Sequence, residues 1–211
     1  MKTIDLSHLI YTNMPAYPGS DSVTIKKVNI LSKNGFEECK ICIHSHNGTH
    51  IDVSGHMLKK GKSIDNIHTD SFIGKGTILD FHNHHSKLIR LEDISIYQKK
   101  IEKSDFIIIK TGWSKYWETS LYFSNYPCLN SEAASWLSNF SIKGLGIDAI
   151  SVDSPNSEDF PIHKILLAKN IIIIENLTNL EVIDNEYFLF TALPLKIKDA
   201  DGSPVRAIAI I

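Results

Sequence analysis

Cysteine is scarce in this sequence: Cys39, Cys42 and Cys128 are the only three in 211 residues. So few, and an odd number, cannot form the disulfide framework of a small secreted protein and suit a reducing compartment. Cys39 and Cys42 have the spacing of a redox or zinc motif, but no second cysteine pair exists. In an extended strand their thiols would also fall at opposite parity. No apolar run approaches the ~18 residues a membrane-spanning helix needs. Neither sign of charge is in excess: 22 Lys and Arg against 24 Asp and Glu leave a net charge of −2. Such a balance offers no basic face to nucleic acid or to an anionic membrane. The start, Met1-Lys2-Thr3-Ile4-Asp5, lacks the apolar stretch of a signal peptide, so the expected location is the cytoplasm. Internal repeats and long linkers are missing too. What remains, 43% apolar and 22% charged, is ordinary for a single domain over residues 1–211.

Chemistry is concentrated in one stretch, His46-Asn47-Gly48-Thr49-His50-Ile51-Asp52-Val53-Ser54-Gly55-His56. Its four groups able to bind a metal or move a proton are spaced by four, two and four residues. All four occupy even positions, so any extended part aims them at one side. Two imidazole nitrogens and an Asp oxygen are an ordinary ligand set for zinc or a similar divalent ion. His56 is either another ligand or a proton shuttle beside the metal. Gly48, next to Asn47, permits a turn with positive φ between the first two histidines. His-x-x-x-His also occurs on zinc-protease helices, but the Glu that follows the first His there is missing here. The preceding Ile41-Cys42-Ile43 and the inserted Gly-Thr favour strand and loop.

Along the chain, Thr3–Leu9 reads as a short strand. Pro15, Pro18 and Gly19 mark a loop that carries Tyr17, either a packed loop aromatic or a pocket wall. Ser22–Ser32 and Phe36–Ser45 read as strands joined by the hairpin signal Asn34-Gly35. Gly76–Phe81 reads as a strand, followed by the loop histidines His82, His84 and His85. Leu91–Lys100 fits an amphipathic helix. The continuous run Phe106-Ile107-Ile108-Ile109 suits a strand buried on both faces, with Gly112-Trp113 a tight turn after it. Asn130 is a candidate N-cap for a helix over Ser131–Ser138, and Leu145–Ile150 a further strand. His163 falls in a helix over Pro161–Ala168. Ile171–Ile174 is the strongest buried-strand signal, and Glu175 stands directly after it, where a buried carboxylate needs a partner. Phe188–Leu195 and Ala207–Ile211 read as strands, with Asp199-Ala200-Asp201-Gly202 as a turn. Trp113, Trp117 and Trp136 are expected in the core. Alternating strands and helices predict an α/β fold.

These residues resemble a known family. His46–His56 is similar to the His-x-Gly-Thr-His-x-Asp-x-x-x-His signature of the cyclase family, which includes bacterial kynurenine formamidases and isatin hydrolase. Lys110-Thr111-Gly112-Trp113, Gly146-Ile147-Asp148, Ser151-Val152-Asp153, Glu175-Asn176-Leu177, Pro194-Leu195 and Gly202-Ser203-Pro204-Val205-Arg206 resemble further family segments, in order along nearly the whole chain. The resemblance implies an α/β metal-dependent hydrolase with a swivelling β/β/α-type fold, here a mixed sheet with hairpin-rich edges. It implies a homodimer or homotetramer. It assigns His46, His50 and Asp52 to a first ion, with Asp52 and Glu175 bridging to a second that His163 also holds. His56 matches the proton-transfer residue, and Tyr17 the aromatic that faces substrate. Zinc, as one or two ions, is the expected cofactor, with manganese the alternative suggested by the isatin branch.

The expected reaction is hydrolysis of a small-molecule amide: N-formylkynurenine and water give kynurenine and formate. Ring opening of a cyclic amide or imide is the rival, and a metal- or ligand-binding protein without turnover the third possibility. A purely structural metal site would have no use for a spare acid–base group such as His56. Two departures bear on specificity. Formamidases carry Asp-Ala-Pro where this chain has Asp52-Val53-Ser54, and Trp before Pro where it has Tyr17 before Pro18.

Overall fold

The apolar runs divide by parity. Phe106 and Ile108 join one buried cluster, while Ile107 and Ile109 join another. Ile172 and Ile174 side with Phe106, and Ile173 with Ile107. Strands that bury both faces must have cover on each, and the computed structural model, which describes residues 1–211, supplies it in two ways.

The strands are β1 (Thr3–Asp5), β2 (Thr24–Asn29), β3 (Glu38–Cys42), β4 (His50–Asp52), β5 (Ile73–Asp80) and β6 (Leu88–Ile89). They continue with β7 (Phe106–Lys110), β8 (Cys128–Leu129), β9 (Gly144–Ile147), β10 (Ile172–Glu175), β11 (Phe188–Pro194) and β12 (Gly202–Ile210). The helices are α1 (Leu31–Asn34), α2 (Leu91–Ser95), α3 (Gln98–Ile101), α4 (Ser131–Leu137) and α5 (Pro161–Ala168). Strands β12, β11, β5, β7, β9, β10 and β4 hydrogen-bond in that order, and β4 pairs back onto β12. The sheet is therefore mixed, as expected, but it closes into a seven-stranded barrel where free edges were expected. β12 makes the closure. It pairs with β4 through Gly202–Pro204 and with β1 through Ile208–Ile210. Pro204, which has no N–H to offer a ladder, falls at the end of the β4 pairing. Closure leaves few edges to protect.

Phe106, Ile108, Ile172, Ile174, Phe190, Ala207 and Ala209 belong to the cluster that fills the barrel. Outside it, Ile107, Ile109, Leu145, Ile147 and Ile173 pack with α4, α5 and the aromatic segment around Trp113, Trp117 and Tyr122. Trp113 and Trp117 are core residues as expected; Trp136 packs at the margin. Asn130 caps α4 by accepting from Ala133 N at 2.8 Å. The stretch Leu91–Lys100 is two short helices, α2 and α3, not one.

β2 and β3 form a separate antiparallel ribbon. Their connection is not a two-residue turn at Asn34-Gly35. The helical turn α1 intervenes, and Gly35 (φ 76°) ends it in the left-handed conformation, the usual use of Gly after a helix. Asn34 is recruited to close that turn, its Oδ1 accepting from Ile30 N. No helix is long and apolar enough to cross a membrane.

The thiols differ in surroundings. Cys39 and Cys42 are exposed on β3, Cys128 is buried on β8, and burial pushes the Cys128 thiol up to about 11. Only thiolate is nucleophilic. At pH 8, iodoacetamide should alkylate Cys39 and Cys42 readily and Cys128 only after unfolding. Three equal rates by mass spectrometry would contradict the placement.

Candidate active site

The site starts from strand parity. Ile51 points into the barrel cluster, so His50 and Asp52, its neighbours on β4, point outward together. β10 runs antiparallel beside β4 with Glu175 directly opposite His50. This puts the carboxylate that follows the isoleucine run on the same outer face. His163 arrives from α5. Asp153 holds the start of that helix, accepting from Ile162 N at 2.9 Å and His163 N at 3.0 Å.

Each imidazole is oriented by its rear nitrogen. His163 Nδ1 faces Asp153 Oδ2 at 2.6 Å, which turns Nε2 toward Asp52 Oδ2 (3.4 Å) and Glu175 Oε1 (3.3 Å). His50 Nδ1 faces the Gly48 carbonyl at 2.8 Å, which turns Nε2 toward Asp52 Oδ1 (3.2 Å) and Glu175 Oε2 (3.5 Å). Gly48 has φ 66°, the turn its position next to Asn47 suggested. Such second partners fix ring orientation at metal sites. His46 Nδ1 lies 2.6 Å from Asp52 Oδ1, and its Nε2 lies 2.8 Å from Asp201 Oδ2. His56 Nδ1 lies 3.1 Å from the same Asp201 oxygen.

The residues fit a divalent cation. Asp52 and Glu175 each present one oxygen to His50 and the other to His163. Asp52 Oδ2 is buried and makes no hydrogen bond, which is costly unless a cation satisfies it. Ligand atoms about 2.05 Å from a zinc ion at tetrahedral angles stand about 3.3 Å apart. The contacts of His163 with the two carboxylates have that length. His/Asp/Glu donors suit zinc, and their oxygen-rich share also suits manganese.

Electrostatics agree. Burial opposes charge on every group here. Even so, contact with Asp52 and Glu175 pushes His50 up to about 10, and Asp153 first, then Asp52 and Glu175, raise His163. Burial also raises the carboxylates, yet their histidine contacts win and both lie below the usual carboxylate range. His56 differs: burial prevails and lowers it. A cation entering this cage would displace protons from histidines that already sit against carboxylates.

The cage opens into a cavity of about 300 Å³, lined also by Tyr17, Ser20, Met57, Ile150, Ser151 and Phe160. That is the lower end of small-molecule pockets. A roomier hollow around Ile64, Phe72 and Leu193 has no comparable convergence of titratable groups. All seven residues singled out from sequence, His46, His50, Asp52, His56, His163, Glu175 and Tyr17, meet at the 300 Å³ cavity. The loop histidines stay away: His82 pairs with Asp80, and His84 with Asp93. Sequence reasoning missed Asp153, Asp201 and Phe160. Phe160 has φ 47°, strained for a bulky residue, and its ring meets His163 edge-on at 6.0 Å. Asp153 stood in the family-like segment Ser151-Val152-Asp153, but nothing in the sequence tied it to the start of α5 or to the ring of His163.

Comparison with known proteins assigns the chain to a family. The Cyclase family model matches residues 4–154. An uncharacterized protein of Methanocaldococcus jannaschii is 37% identical over 213 residues, covering 100% of both chains. A kynurenine formamidase of Bacillus cereus is 31% identical over 212 residues, covering 99% of this chain and 98% of its own. A solved structure described as a potential metal-dependent hydrolase with cyclase activity superposes with a TM-score of 0.83 at 28% identity, over 99% of this chain and 96% of that one. Fold and relatives together place the chain among hydrolases, with a candidate cation cage at the mouth of its pocket. The chain belongs to the Cyclase family.

Proposed function

We propose that this protein hydrolyses an aryl formamide, with N-formylkynurenine as the substrate and kynurenine and formate as products, in the degradation of tryptophan. One observation carries the reading. Two buried carboxylates are shared between opposed histidines, with a further pocket-lining histidine, His56, bound through Nδ1 only. His46, His50 and Asp52 would hold one ion, and Asp52, Glu175 and His163 a second, zinc before manganese. Ions so held would lower the pKa of water from ~15.7 toward ~7 and would polarise a carbonyl.

The chain's own groups do the rest. Tyr17 and Phe160 offer aromatic faces for the aryl ring. Met57 and Ile150 supply apolar wall that keeps bulk water out. His56 is anchored through Nδ1 and leaves Nε2 without a protein partner, free to accept a proton and hand it to the departing nitrogen. As the carbon–nitrogen bond breaks, the oxygen of water ends on formate and the proton on the amine.

The test loads the protein with Zn²⁺ and assays N-formylkynurenine beside isatin. The formamide should win by at least ~10-fold in kcat/KM, about 1.4 kcal/mol. A larger value for isatin would move the assignment to cyclic-amide opening. Loaded protein that turns over neither would leave a binding protein.

A homodimer or homotetramer belongs to the same reading. The β2–β3 ribbon exposes Val28, Leu31, Phe36 and Ile41, and a two-stranded ribbon is marginal by itself. A second copy of this chain would cover that apolar surface. A monomer mass by light scattering would refute it.

A further inference from the structure

We propose that Asp201 is a positioning residue that sets the ring orientation and tautomer of His46 and His56 together. Its Oδ2 is shared: it lies 2.8 Å from His46 Nε2 and 3.1 Å from His56 Nδ1. The other oxygen, Oδ1, accepts from Ser45 Oγ at 2.9 Å, which fixes the carboxylate's own rotation. The two imidazoles lie over one another, centroids 3.9 Å apart and planes 34° apart, so one carboxylate reaches an edge of each.

The chemistry follows from what a carboxylate can do. It only accepts hydrogen bonds, so both nitrogens facing it carry hydrogen. For His46 this reserves Nδ1 for Asp52 Oδ1, 2.6 Å away. Whatever sits between those two atoms must be positive, a proton or an ion. For His56 it leaves Nε2 as the basic nitrogen of the neutral ring. An acceptor that fixes tautomer and orientation serves ligands and proton-transfer histidines alike, and here one residue does both.

The backbone is shaped for this approach. Gly202 follows Asp201, and a Cβ there would stand 2.7 Å from His46 Cε1 and 2.6 Å from the Ile51 carbonyl. Only glycine lets the chain pass so near the ring. The Asp201 carbonyl accepts from Val53 N at 3.2 Å, tying the turn to the residue after Asp52. The Asp201 side chain itself is 42% exposed, so trimming it leaves the fold's backbone bonds in place.

The inference rests on the reading of His46 as a ligand and His56 as the proton-transfer group. Its test compares wild type, Asp201→Ala and Asp201→Asn by three measurements: Zn²⁺ titration, ¹⁵N-histidine NMR and steady-state kinetics. Asp201→Ala should bind Zn²⁺ ~10–100-fold more weakly and lose at least ~10-fold in kcat with KM within ~3-fold. Its His56 Nδ1–H signal should disappear. Asp201→Asn keeps an acceptor oxygen and should fall between, and it carries the comparison if the alanine variant does not fold. Wild type that takes up no Zn²⁺ would sink the metal reading and this proposal with it. Wild type that takes it up, beside an Asp201→Ala protein of equal affinity and unchanged tautomers, would overturn the Asp201 role alone.

Discussion

Asp52→Asn is expected to remove Zn²⁺-induced stabilisation and to lower kcat/KM for the amide by at least ~10³-fold, about 4 kcal/mol. Asp52 is the group that His46, His50 and His163 all face. Its Oδ1 stands 2.6 Å from His46 and 3.2 Å from His50, and its Oδ2 stands 3.4 Å from His163. Asparagine has the same shape, so the packing of β4 survives. Its amide, however, brings one neutral oxygen and an NH₂ that repels a cation and any imidazole N–H. Glu175 would then be the sole carboxylate shared between His50 and His163. Calorimetric melts with and without Zn²⁺ provide the check, beside metal analysis. Wild type should gain about 2.7 kcal/mol at a hundredfold excess of Zn²⁺ over Kd, and the variant almost nothing. A variant that takes up Zn²⁺ and turns over at the wild-type rate would show that Asp52 is not needed to hold the metal.

The parts of this site that were legible in the sequence are those set by short-range pattern. His50-Ile51-Asp52 alternates about one apolar residue, and that alternation sends both ligands to one face. The Ile172–Ile174 run announces a strand covered on both sides, and Glu175 stands at its end. No local pattern could choose between a metal and a salt bridge for Glu175; the family resemblance favoured the metal, and the fold sets the carboxylate opposite His50. Barrel closure was not legible. It depends on three pairs between β4 and β12, strands separated by most of the chain, and a hydrophobic pattern looks the same in an open and a closed sheet. Asp201 was hidden for the same reason. It reads as one more turn residue until closure brings it to His46, 155 positions away. Asn34-Gly35 shows the opposite error: a strong hairpin signal was used instead to end the helical turn α1.

His56→Ala should separate holding the metal from moving the proton. His56 lies at the rim of the cage, beside His46 and Asp52, but its polar contact is with Asp201 Oδ2 at 3.1 Å, and its ring rests on His46. Truncation should therefore leave Zn²⁺ stoichiometry at the wild-type value while kcat falls by ~10²–10⁴-fold, the usual worth of a positioned acid–base group. KM should change little, because aromatic walls and cage still bind the amide. Added imidazole, small enough for the space left, should restore part of the lost rate. A histidine that merely packed would give neither the kcat loss nor the rescue. Loss of bound Zn²⁺ in His56→Ala would instead make His56 a ligand. Retention of both metal and rate would remove it from the chemistry, and the proton would then have to leave by way of water.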